Sequence, residues 1–137
     1  MSTQSDDHAA ILNLNGLFAE AVDHDPTLDR VISLFTRDGT WVMGSKEFEG
    51  HEEIRQALQG TRDRGFAGPA AGTRHIVTSQ QIYLTADRVA GRGSSQWLLV
   101  QPATAPETPT LRGVGRYLDE YVKVDGTWFI QSRSAVS

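Results

Sequence analysis

The dipeptide Asp125-Gly126 constrains this chain more than any other feature. Asp-Gly between two β-rich runs is a strong hairpin signal, because glycine readily takes the positive φ such turns demand. The flanking runs are Leu111 to Lys123 and Thr127 to Ala135, so the two must lie antiparallel and adjacent. Ala86-Asp87 reads as a second turn of this kind, between Thr73–Leu84 and a long strand from Val89 to Gln101. Four long strands joined largely by hairpins make an antiparallel sheet in the second half of the chain.

The first half reads as helical. Asp6 or Asp7 can cap a helix from near His8, in which Ile11, Leu14, Phe18, Ala21 and Val22 form an apolar stripe. Asp23-His24-Asp25-Pro26 stops it, since the residue before a proline avoids helical geometry. A short helix from about Thr27 buries Leu28, Val31 and Ile32. Arg37-Asp38-Gly39 then turns into a strand, Thr40 to Met43, and a third helix runs from His51 to about Arg64 with Ile54, Ala57 and Leu58 inward. Residues 1–7 are expected to be a flexible tail and 8–137 a single domain. Helices first and sheet later is an α+β arrangement.

Charge and composition narrow the function. The net charge is −4 and basic residues are scattered, which disfavours nucleic acid as partner. With no cysteine there is neither a disulfide framework nor a thiolate nucleophile. No apolar run approaches a membrane span, and the N-terminus lacks a secretory pattern, so a cytoplasmic location is expected. No compact ligand spacing suggests a metal.

Within Thr73–Leu84, alternation places His75, Val77, Ser79, Gln81 and Tyr83 on one face and Ile76, Thr78, Ile82 and Leu84 on the other, with Gln80 among them. In the next-to-last strand it groups Gly115, Tyr117, Asp119 and Tyr121. A histidine entering a sheet face is the best single candidate for chemistry. A carboxylate beside it would fix its tautomer and leave the other ring nitrogen to a substrate. At ~100° per residue, Asp23 lies well off the apolar stripe, so it comes inward only if the helix ends or unwinds there. Asp25 is a rival orienter and His24 a rival base. Asp119 stands either to meet substrate or to pair with Arg133.

Four segments carry a family resemblance: Phe18–Asp23, Leu34–Trp41, Gly50–Ile54 with Thr73–Thr78, and Gly115–Tyr121 with Asp125–Trp128. In this order the chain resembles the SnoaL-like polyketide cyclases of the nuclear transport factor 2-like superfamily, which includes scytalone dehydratase and the bile-acid dehydratases. The resemblance implies a cone-shaped α+β barrel, with three helices packed on a strongly curved, mainly antiparallel sheet around an apolar pocket. It also implies an aspartate at the end of the first helix and a histidine at the start of the strand after the third. Asp23 and His75 stand at those positions. The dehydratases' tyrosine near the aspartate is missing here: Val22 precedes Asp23, and Phe18 stands where the bile-acid dehydratases carry theirs. Tyr117 is the candidate replacement donor.

The expected catalytic set is His75, Asp23 and Tyr117. Substrate contacts are expected from Phe18, Trp41, Met43, Trp97, Asp119 and Arg133. The expected activity is cofactor-independent elimination, isomerisation or cyclisation of a small apolar molecule by proton transfer, in a homodimer without nucleic-acid or membrane partners. The alternative is a non-catalytic module of the same fold that binds a small molecule or a protein.

Overall fold

Thr3 starts the first helix, earlier than the sequence pattern suggests. In the computed structural model, which describes residues 2–137, Thr3 and Asp6 form a capping box: each side chain accepts from the other's backbone N–H. Helix α1 therefore runs Gln4–His24. Of the expected tail 1–7, Met1 lies outside the described residues, and the rest is tied down. Asp7 is buried against Lys123 and Arg88 and accepts from the Trp128 indole.

After α1 come α2 (Asp29–Ser33), β1 (Phe35–Met43), β2 (Lys46–Glu49) and α3 (Gly50–Asp63). The remaining strands are β3 (Arg74–Leu84), β4 (Ala90–Gln101), β5 (Thr110–Val124) and β6 (Thr127–Val136). They form one six-stranded sheet in the order β2-β1-β6-β5-β4-β3, antiparallel throughout except for the β1–β6 pair. This is the expected α+β class, with three helices against a curled sheet that does not close. Asp125 and Gly126 both take positive φ and make the β5–β6 turn. Arg37-Asp38-Gly39 is not a turn before β1 but an irregularity within it, where register with β6 is lost between Phe35 and Thr40.

Bulges supply the curvature, since an extra residue on one strand bends it and raises its twist. On β3, Val77 faces Trp97 while Gln80 faces Ser95, so Thr78 and Ser79 together oppose Gln96. The bulge exchanges the faces beyond it. Ile82 and Leu84 thus join His75 and Val77 on the core side, and Tyr83 is 56 % exposed. The expected alternation holds only as far as Val77. On β5, by contrast, Gly115, Tyr117, Asp119 and Tyr121 are all buried in unbroken alternation.

The core lies between α1, α3 and the concave face of the sheet. Phe18 of α1 packs on Phe35 and Trp41 of β1 and on Tyr117 of β5, with centroid separations of 5.8–6.1 Å. Such pairs add roughly 0.5–1.5 kcal/mol each beyond their area burial. Among the described residues, no helix is long and apolar enough to cross a membrane.

Candidate active site

Asp23 faces inward without any unwinding. The helix continues through His24, yet Asp23 is 4 % exposed because β3 lies along that side of the last turn. The buried face of α1 widens where the strand begins, which no helical wheel could reveal. Three carbonyls in this region, Ala21, Val22 and Pro26, accept from the Arg62 guanidinium of α3. That contact satisfies helix-end acceptors and fixes the direction in which Asp23 leaves the helix.

Both oxygens of Asp23 are spent on His75. One accepts from the His75 backbone N–H at 2.6 Å, and the other meets ring Nδ1 at 2.7 Å. An ionised carboxylate can only accept, so a neutral ring held this way carries its proton on Nδ1 and keeps Nε2 as an acceptor. The rivals are elsewhere: Asp25 pairs with Arg30 through two 2.8 Å contacts, and His24 is exposed.

His75 lies on a cavity of about 360 Å³ enclosed by α1, α3, the turn after α3, and strands β1, β3, β4, β5 and β6. Phe18, Trp41, Met43, Trp97 and Tyr117 all line it, together with Val22, Leu58, Phe66, Ala67 and Leu99. Trp97 lies between the chemical groups, with its ring centroid 5.3 Å from His75 and 5.8 Å from Tyr117. Gly115 makes this possible. A Cβ there would come within 2.2 Å of the Trp97 ring, so only glycine lets the indole lie across β5.

Burial pushes the Tyr117 phenol well above its ordinary pKa, against a smaller opposing effect of Arg133. It therefore stays protonated and can donate a hydrogen bond into the cavity.

Asp119 and Arg133 do not line the cavity; they form the ion pair that the sequence offers as the alternative to substrate contact. Arg133 is 0 % exposed and lies beneath the floor, its guanidinium 4.4 Å from the ring centroids of both Phe18 and Tyr117. It donates to both oxygens of Asp119, at 2.8 and 2.9 Å, and to the Asn15 carbonyl. Tyr121 donates to Asp119 at 2.6 Å, and Asn15 reaches Tyr121 and Gln80. Burial disfavours the Arg133 charge, but the Asp119 carboxylate outweighs it and holds the guanidinium above its ordinary pKa. This ion pair is internal because a planar guanidinium can sit between aromatic faces while a carboxylate takes its edge.

Three arginines that the sequence pattern does not single out bear on the site. Arg62 holds the end of α1; Arg64 and Arg112 line the cavity. Asn15 had a legible signal, a polar residue on the stripe between Ile11 and Phe18. Arg62 and Arg64 had none, on a helix rich in charge.

A family model described as a SnoaL-like domain matches residues 3–134. No curated protein matches the chain. Several solved structures share its fold. A cystatin-like-fold protein of unknown function from Nostoc punctiforme is 23 % identical with a TM-score of 0.81, over 98 % of this chain and 93 % of that one. ActVI-ORFA from Streptomyces coelicolor is 17 % identical with a TM-score of 0.77, over 93 % and 95 %. An NTF2-like protein with a cystatin-like fold from Novosphingobium aromaticivorans is 14 % identical with a TM-score of 0.79, over 96 % and 81 %.

Proposed function

The chain belongs to the SnoaL-like domain family, and from that premise we propose that it is a cofactor-independent enzyme that moves protons on a small apolar or aromatic carbonyl compound. The observation that carries this reading is the two-point grip of Asp23 on His75, which engages Nδ1 and not Nε2 of a ring that lines the cavity.

In the proposed step, Nε2 removes a proton from a carbon next to a carbonyl. The C–H electron pair moves into the enolate, and the developing oxygen charge is met by the Tyr117 hydroxyl, which burial keeps protonated. Asp23 stabilises the imidazolium that forms. Collapse of the enolate completes one of three outcomes, in which the imidazolium gives its proton back to another carbon, to a β-hydroxyl that departs as water, or to the alkoxide formed when the enolate attacks a second carbonyl. The apolar wall of Phe18, Trp41, Met43 and Trp97 excludes water from the enolate.

The test is deuterium uptake from D2O into a panel of small aromatic and alicyclic ketones, followed by mass spectrometry. Wild-type protein should label at least one class, and His75→Ala should slow it by about 10²–10⁴-fold while its circular dichroism is unchanged. Labelling at an unchanged rate in His75→Ala would remove the base from this account. Ligand affinity without labelling would favour the binding module.

A further inference from the structure

Although the protein carries a net charge of −4, among the described residues two arginines, Arg64 and Arg112, are the only Lys, Arg, Asp or Glu side chains lining the cavity. Among the described residues, no aspartate or glutamate lines it. Arg64 caps the end of α3 and Arg112 lies near the start of β5. Both are exposed, as are their cavity neighbours Phe66 and Val114, so these four mark the mouth. Neither arginine forms a salt bridge among the described residues, although Arg30, Arg55, Arg88 and Arg133 all do.

Arg112 reaches the cavity through an irregularity that serves no pairing purpose. On β4 the neighbours Leu99 and Val100 pair with Gly113 and Leu111, so Arg112 is an extra residue inserted into β5. Regular alternation from Gly113, Gly115 and Tyr117 would turn Arg112 to the side of Arg116, which does not line the cavity. The bulge re-aims it so that it lines the cavity. A second cation therefore joins Arg64 on the lining of a largely apolar cavity.

We infer that the ligand of this cavity is an apolar or aromatic molecule bearing a carboxylate, which Arg64 and Arg112 hold at the mouth while the apolar body extends inward to His75 and Tyr117. This rests on the reading of the cavity as the substrate site. Guanidinium groups suit a planar carboxylate because their N–H groups can meet both of its oxygens. About 360 Å³ is near the lower end of ligand pockets, roughly 300–1,000 Å³, which fits a small ring system. Anchoring the anion at the mouth also leaves the deep, apolar end for the carbon that loses its proton.

The experiment compares cinnamate with cinnamamide, nearly identical in shape but different in charge, by calorimetric titration at about pH 8, where an ordinary imidazole is neutral. Wild-type protein should bind cinnamate roughly tenfold or more tightly than the amide, as expected for a charge-assisted contact. The preference should shrink as salt is raised. In the R64Q/R112Q variant the preference should vanish while amide affinity stays unchanged. Equal binding of the two probes by wild type, binding of neither, a preference surviving in R64Q/R112Q, or equal loss of both probes in that variant would each overturn the inference. The readout is independent of turnover. If charge discrimination fails while His75-dependent labelling persists, the site is catalytic but takes neutral substrates; the converse result refutes the His75 chemistry and leaves the carboxylate site standing.

Discussion

Replacing Arg133 with methionine should be the most damaging single change near the site that replaces no cavity-lining residue. The guanidinium is fully buried and makes three hydrogen bonds, two to Asp119 and one to Asn15, while packing on Phe18 and Tyr117. Methionine keeps much of the volume but leaves the 4 %-exposed Asp119 carboxylate with only Tyr121 to stabilise it. Breaking a buried pair by removing one partner costs about 3–5 kcal/mol. For a chain of this length that lowers the melting temperature by roughly 10–20 °C. The neutral pair Arg133→Met with Asp119→Leu should be less damaging than Arg133→Met alone. It removes the stranded charge, and although Tyr121 and Asn15 each lose a partner they still bond each other, with Gln80 also accepting from Asn15. Urea denaturation followed by tryptophan fluorescence gives both values, provided the slope is unchanged between variants. A cost below about 1 kcal/mol for Arg133→Met, against the 3–5 expected, or additive costs in the double variant, would refute the claim that this pair is tightly coupled.

Two further outcomes follow from local contacts. Gly115→Ala sets a methyl 2.2 Å from the Trp97 ring, so the indole must move; the expected cost is about 1–3 kcal/mol, with a changed near-ultraviolet dichroism, and an unaltered spectrum and stability would refute it. Hydrogen bonds from Lys123 and Trp128 hold the Asp7 carboxyl at about 2, below the ordinary 3.8. A depressed carboxyl stabilises the fold above its unfolded value and loses that contribution as pH falls through its folded value. Wild-type stability should therefore fall between about pH 4 and pH 2 more steeply than that of Asp7→Asn, as the shift from 3.8 to about 2 requires. Parallel acid profiles would contradict it.

The elements that were legible in the sequence are those whose signals are local. Asp125-Gly126 predicted its hairpin because the dipeptide alone supplies the positive φ values found there. The buried face of β5 was readable because no bulge interrupts it between Gly113 and Val124 on the β4 side. The far half of β3 was not, since the extra residue at Thr78–Ser79 is set by pairing with β4 and leaves no mark in composition. Arg112 was hidden for the same reason. Thr3 does not stand out as a cap because its box partner is Asp6 rather than the more usual glutamate or glutamine. Asp23 is the instructive case. Periodicity placed it away from the core, and family resemblance placed it beside His75; a strand from fifty residues further along the chain settles the geometry by covering that face of the helix. Long-range packing, not helical pattern, decides which way the last turn points.

The proposed chemistry depends on one proton, the one on His75 Nδ1. Nitrogen NMR of the His75 ring at about pH 8, where an ordinary imidazole is neutral, reports which ring nitrogen carries it. The expected spectrum shows a protonated Nδ1 and a bare Nε2 in the wild-type protein, with the distinction lost in Asp23→Ala. A wild-type ring protonated on Nε2, or a tautomer indifferent to the loss of Asp23, would contradict the account.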